Sequence, residues 1–131
     1  MERRVINPWT WQDQLGFVQA NEITGVQRVL LCSGQTSVDD DGNPVNPGDM
    51  AGQTNKALDN LETVLGQAGL KLSNVVRMNI YTTDVDAFFE AAPEIMSRLA
   101  RAECRFASTL LGVARLGYPE LLVELEATAV Q

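Results

Sequence analysis

Thr54, Ala57, Leu58, Leu61, Val64, Leu65 and Ala68 follow one another in steps of three and four, which places them along one stripe of an α-helix. Asp49 stands where an N-cap belongs, and Gly69 where the chain can leave the helix. A second stripe of the same period, Phe88, Ala92, Ile95, Met96 and Leu99, predicts another helix with Asp86 as its cap. Pro93 lies inside that pattern and removes a backbone donor, so this helix either kinks there or begins near Pro93.

Between the two stripes the period changes to two. Val75 to Thr82 reads as a strand, with Val76, Met78 and Ile80 on one face and Val75, Arg77, Asn79 and Tyr81 on the other. Upstream, Val26 to Gly34 is β-branched and leucine-rich and predicts a buried strand, with Gly16 to Ile23 as its antiparallel partner across Thr24-Gly25. Phe106 to Ala114 and Leu121 to Val130 predict two more, joined by a turn through Leu116-Gly117-Tyr118-Pro119. The polar stretch from Asp39 to Asp49 connects elements. Its triplet Asp39-Asp40-Asp41 reads as a solvated turn, because it lacks the ligand spacing of a calcium loop.

The order is ββαβαββ. It predicts a single α+β domain over residues 1–131, with a mixed sheet and both helices packed on one face. In the last strand Leu121, Val123, Leu125, Ala127 and Ala129 would face the helices, leaving Glu124, Glu126 and Thr128 together with Leu122 and Val130 on the uncovered side. An uncovered face with apolar content predicts association with other copies.

Composition then removes whole classes of chemistry. The 131 residues include 17 acidic and 10 basic side chains and no histidine, for a net charge of −7. Without imidazole there is no Ser-His-Asp or Cys-His pair, no His-Cys zinc site and no histidine base, so proton transfer falls to carboxylates, Tyr, Lys, Cys or water. The acidic balance disfavours nucleic acid as a partner, since phosphate binding draws on concentrated Lys and Arg. Cys32 and Cys104 form no CxxC pair and no metal knuckle; they are expected as free thiols, although sequence alone leaves one disulfide open. Neither a secretory pattern at Met1-Glu2-Arg3-Arg4 nor a bilayer-length apolar run is present, so a reducing cytoplasm is the expected setting.

Few residues stand out as chemistry. Glu124 and Glu126 leave the same face of a strand, roughly 7 Å apart by strand rise, and could share acid–base work or form a water-facing surface. Ser33-Gly34-Gln35 ends a strand with a step that exposes backbone to a ligand, and it equally suits a plain strand end. Cys32 alternates to the opposite face and reads as a small core hydrophobe. Trp9, Trp11 and Phe17 could line a pocket or serve as packing material.

Taken in order, Ser33-Gly34-Gln35, the helix from Gln53 to Leu61 with Ala68-Gly69 at its end, Val75 to Asp84, Gly112-Val113-Ala114-Arg115-Leu116 and Val123-Glu124-Leu125-Glu126-Ala127 resemble the YjgF/RidA (Rid) superfamily from about Phe17 to Val130. The resemblance implies a chorismate-mutase-like fold and a homotrimer, with sheets facing inward and small-molecule clefts between neighbouring subunits. It implies hydrolysis of enamines and imines to a 2-oxo acid and ammonia, with no metal or organic cofactor. Older labels of the same superfamily mention translation inhibition and endoribonuclease action, so a non-catalytic interaction or RNA-related protein is a third reading, with RNA cleavage made the least attractive activity by the charge and the missing histidine.

This chain departs from that pattern at one important position. Deaminating members hold the substrate carboxylate with an arginine on the penultimate strand, and counting back from Gly112-Val113-Ala114-Arg115-Leu116 places Ser108 there. Arg105 and Arg115 lie an odd number of residues away and would point to the other face unless a bulge intervenes. The family's tyrosine aligns with Phe17 and an asparagine near the second helix with Ala92, whereas its glutamate is kept as Glu124 and the Ser33-Gly34 step is kept too. The expected site therefore comprises Glu124 as the catalytic acid–base group, with Phe17, Ser33, Gly34 and Ser108 as ligand-binding residues and no metal. Deaminase activity is expected to be weak or absent, unless Arg28 or Arg77 supplies a substitute clamp.

Overall fold

The helices occupy the places their stripes dictate. The computed structural model describes all 131 residues, and its first helix, α1, spans Met50–Gln67 with Ala57, Leu58, Leu61 and Leu65 fully buried. The Asp49 carboxylate accepts the Gly52 amide at 2.9 Å, and Gly69 takes a left-handed φ of 72° just past the end. The second helix, α2, spans Val85–Arg101 and buries Phe88, Ile95 and Leu99. Its cap is Asp84, whose Oδ1 accepts the Ala87 amide at 3.0 Å, so Asp86 falls in the first turn instead of capping it. Pro93 neither starts nor ends the helix, which runs through it.

Six strands in two sheets complete the chain. They are β1 (Glu2–Ile6), β2 (Ala20–Thr24), β3 (Val29–Leu31), β4 (Val75–Thr82), β5 (Leu110–Gly112) and β6 (Val123–Val130). From β2 onward the order is the expected ββαβαββ, and the four-stranded sheet β3-β6-β4-β5 is mixed, antiparallel except for the β4–β5 pair. Both helices and the inward residues of β4 and β6 share one core, including Met78, Ile80, Val123, Leu125 and Ala127. This is the α+β, chorismate-mutase-like arrangement. Gln53, buried in α1, ties the approach to β6 onto the helix: its amide nitrogen donates to the carbonyls of Asn46 and Glu120, and its oxygen accepts the Leu122 amide at 2.8 Å.

Strand pairing departs from the expectation at the N-terminal end. Residues 16–23 do not form a hairpin with the following strand; β2 pairs instead with β1, as a separate two-stranded sheet. The polar sequence Glu2-Arg3-Arg4 carries no strand signal of its own, and β1 is fixed by long-range bonds such as that from Arg3 to the Val75 carbonyl. Nor is β3 a buried strand. It is an edge, and Val29 and Leu31 point outward at 59% and 77% exposure.

A register shift between Val75 and Arg77 also reverses the expected parity at the start of β4. Val75 is therefore fully buried and Val76 is not. The Asn21 amide spans this irregularity, donating to the carbonyls of Val76 and Arg105. The strand expected over Phe106 to Ala114 narrows to Leu110–Gly112, although single bridges from Ala107 to Val18 and Arg77 continue its line. Val130 is buried rather than open, and Leu122 packs against the core. The apolar content of the uncovered face comes instead from Val29, Leu31 and Leu111.

Candidate functional site

Two separate groups of side chains emerge, one on each face of the sheet. On the helix side, a cavity of about 480 Å³ opens between β4, β5, α2 and the 3₁₀ turn Trp11–Leu15. Phe17 and Ser108 both line it, as does Ala92. Gly16 sets the approach: its left-handed φ of 81° favours glycine, and the absent side chain leaves room for Met96 of α2, whose Sδ lies 2.5 Å from where a Cβ would stand, just before Phe17 enters the wall. Trp11 packs edge-on against Phe17, and Trp9 stacks on Trp11, which carries the aromatic cluster from the cavity rim to the surface.

Ser108 reaches the cavity because β5 keeps one constant offset against β4. Arg77 faces Ala107, Ile80 faces Leu110 and Thr82 faces Gly112, with no bulge between them. Phe106, Ser108 and Leu110 therefore share the inward face with Ile80, whereas Thr109 points outward and accepts a hydrogen bond from Arg77. Arg105 is exposed, and neither it nor Arg115 lines the cavity. The Ser108 hydroxyl donates to the Met78 carbonyl at 2.7 Å. No charged side chain is among the residues lining the cavity.

The second group lies on the open face. Glu124 leaves β6 opposite Tyr81 and packs on Gly34: a Cβ at Gly34 would meet Glu124 Oε1 at 2.1 Å. Gln35 pairs with Leu125 through both backbone bonds, at 2.7 and 2.9 Å, which holds the Ser33-Gly34 step beside Glu124. Glu126, next along the same face, accepts hydrogen bonds from Tyr81 at 2.9 Å and Asn79 at 3.3 Å. The bond to Glu126 holds the Tyr81 phenol above its ordinary pKa, because losing the proton would set an anion against a carboxylate. Of the two carboxylates, Glu126 is tied into this network, and Glu124 makes no hydrogen bond within the chain.

Within one chain, then, Phe17 and Ser108 come together, and Ser33, Gly34 and Glu124 come together, but the two sets face away from each other. The sequence reading did not single out Gln14, Leu15, Phe88, Phe89 or Phe106 as cavity residues. In the sequence Phe88 belongs only to a helical stripe, and no local spacing announces that a stripe residue also borders a hollow.

The basic residues considered as substitutes are engaged elsewhere. Arg28 donates to the Gln131 side chain and to the Ala68 carbonyl at the end of α1, and Arg77 lies on the open face. Cys32 and Cys104 are both buried free thiols; burial raises both pKa values, that of Cys104 to about 12. Neither has the thiolate character of a nucleophile. No helix is long and apolar enough to cross a membrane.

Comparison with known proteins agrees with the fold and the order of motifs. The family model described as Endoribonuclease L-PSP matches residues 14–131. The crystal structure of YyfB from Yersinia pestis, described as a protein of unknown function of the conserved Rid family, superposes with a TM-score of 0.87 at 35% identity, covering all of both chains. Protein mmf2, mitochondrial, of Schizosaccharomyces pombe is 45% identical over 60 residues, a match that covers 46% of each chain. The 2-iminobutanoate/2-iminopropanoate deaminase of Escherichia coli strain K12 is 29% identical over 104 residues, 79% of this chain and 80% of that one. The chain belongs to the YjgF/RidA superfamily, the Endoribonuclease L-PSP family.

Proposed function

We propose that the protein is a Rid-type homotrimer that binds a small metabolite in clefts between protomers, with weak or absent activity toward ordinary 2-imino acids. In this reading the cavity wall of one protomer, with Phe17 and Ser108, meets the Ser33-Gly34-Glu124 group of the next. That would unite two sets of site residues which a single chain keeps on opposite faces. Exposed Val29 and Leu31 on the edge strand β3 supply apolar surface for such an assembly. The ligand is a small molecule, no cofactor is called for, and neither nucleic acid nor membrane is a partner. Two buried free thiols suit a reducing cytoplasm.

One observation supports the functional half of the reading: Ser108, the residue that the family resemblance sets against the arginine of deaminating members, lines a cavity with no charged side chain. A serine hydroxyl in place of a buried guanidinium–carboxylate pair forfeits ~2 to 5 kcal/mol of binding. Ammonia release from 2-aminoacrylate, generated by a pyridoxal-phosphate enzyme, is the direct test. The expected result is little rate above the uncatalysed background; turnover typical of deaminases would overturn the reading. Sedimentation equilibrium is expected to give a trimer mass, and a monomer would remove the intersubunit cleft.

A second reading, active imine deaminase, is favoured by the likeness to the E. coli deaminase. It requires a guanidinium from elsewhere, Arg28 or Arg77 of the same or a neighbouring chain, to enter the cleft. A crystal soaked in pyruvate or 2-oxobutyrate separates the two: a carboxylate held by an arginine supports the second and defeats the first.

A further inference from the structure

The hydroxyl that replaces the expected clamp has a fixed polarity. A backbone carbonyl only accepts, so the bond from Ser108 to the Met78 carbonyl uses the one hydroxyl proton and leaves lone pairs as what Ser108 can offer a ligand. Its surroundings add no positive charge. Phe17, Phe88, Phe106, Met96 and Leu110 form apolar wall around it, and the one other polar side chain in the lining is Gln14, exposed and without a hydrogen bond inside the chain. A carboxylate entering this space would lose hydration, find no counter-charge and meet an oxygen lone pair.

We propose that the cavity binds uncharged ligands with an apolar body and an N–H or O–H donor, directed at Ser108, and that it discriminates against carboxylates of the same shape. The amide of Gln14 can complete the recognition by donating to a carbonyl or imine nitrogen at the open end. The ligand class is thus a neutral amide, alcohol or imine of an amine or aldehyde, rather than a 2-oxo or 2-imino acid. This inference rests on the reading of the cavity as the ligand-binding half of a Rid cleft.

The test compares 2-phenylacetamide with phenylacetate and phenylpyruvate, by calorimetry and by the fluorescence of Trp9 and Trp11, the chain's only two tryptophans. Trp11 contacts Phe17 in the cavity wall, so an occupied cavity is expected to shift its emission. The amide is expected to bind at least about tenfold more tightly than either acid. Ser108→Ala keeps the apolar wall and is expected to weaken the amide by about threefold to tenfold without helping the acids. Ser108→Arg is expected to reverse the order of preference.

Equal or tighter binding of the acids by the natural protein would overturn the inference, as would a Ser108→Ala protein that binds the amide unchanged. These outcomes are distinct from failure of the broader reading. Rapid ammonia release from 2-aminoacrylate, or a monomer in solution, would strike the proposed function itself, whereas acid binding in a trimer without deaminase activity would strike the ligand class alone.

Discussion

Gly34 and Glu124 occupy one space: the glycine's missing side chain is where the glutamate's carboxylate lies, with Oε1 2.1 Å from the point a Cβ would take. The strand end and the acid are therefore one structural unit. Gly34→Ala is expected to push the carboxylate aside at a cost of no more than about 1 kcal/mol, because Gly34 is exposed and the carboxylate is the untethered end of a flexible side chain. Glu124→Ala vacates the contested volume, so the double variant should cost less than the two single changes summed, with a coupling of about 0.5 kcal/mol in urea denaturation. Strict additivity would mean that the two residues do not share this space.

Buried Gln53 holds three backbone groups at once, the carbonyls of Asn46 and Glu120 and the amide of Leu122. Gln53→Ala leaves the Glu120 carbonyl and the Leu122 amide without these partners, while the Asn46 carbonyl still accepts the Asp49 amide at 3.2 Å, and is expected to cost about 2 kcal/mol or more. Proteolysis around Glu120 should accelerate, because this contact anchors the segment leading into β6. A variant with unchanged melting temperature and cleavage rate would show that the segment is held by other means.

Caps supply a sharper contrast. Asp84→Ala removes the acceptor for the Ala87 amide and is expected to lower stability by about 1 kcal/mol. Asp86→Ala removes only an acidic charge in the first turn and should cost no more than a few tenths of that amount. Equal losses in parallel thermal melts would contradict the assignment of Asp84 as the cap.

Alkaline pH tests the buried thiol. The Cys104 pKa stands at about 12 in the fold against an ordinary value of 9.0. Between these values the unfolded chain releases a proton that the folded chain keeps, so the stabilisation is complete below about pH 9 and declines as pH rises toward 12. Cys104→Ala is expected to lose stability at pH 7 through its smaller volume, yet to show a shallower decline in melting temperature from pH 9 to 11. Identical slopes for both proteins would place the titration elsewhere.

The two helices were legible because their cores repeat at 3.6 residues over several turns, a pattern that β structure cannot imitate. The strand partners were not. Val26 to Gly34 looks buried because its residues are apolar on both sides, yet β3 is an edge whose Val29 and Leu31 face outward. The shift at Val76 left no mark in the sequence, since either parity places a valine inside. At the site, counting along the motif singled out Ser108, which lines the cavity with Phe17, and alternation turned Arg105 and Arg115 away from it; neither arginine is in the lining. What spacing could not reveal is the division into two faces, which depends on which side of the sheet each element is wound.

Pro93 lies within α2 and borders the cavity together with Phe89, four residues earlier. Proline has no amide proton to give the Phe89 carbonyl, so one rung is missing from the helix ladder at the turn that forms this wall. A beam notched on one side bends at the notch. A ligand pressing on the cavity wall beside Phe89 and Pro93 therefore meets a helix turn held by one backbone bond fewer than its neighbours, opposite a floor of Ile80, Ser108 and Leu110 from the sheet side.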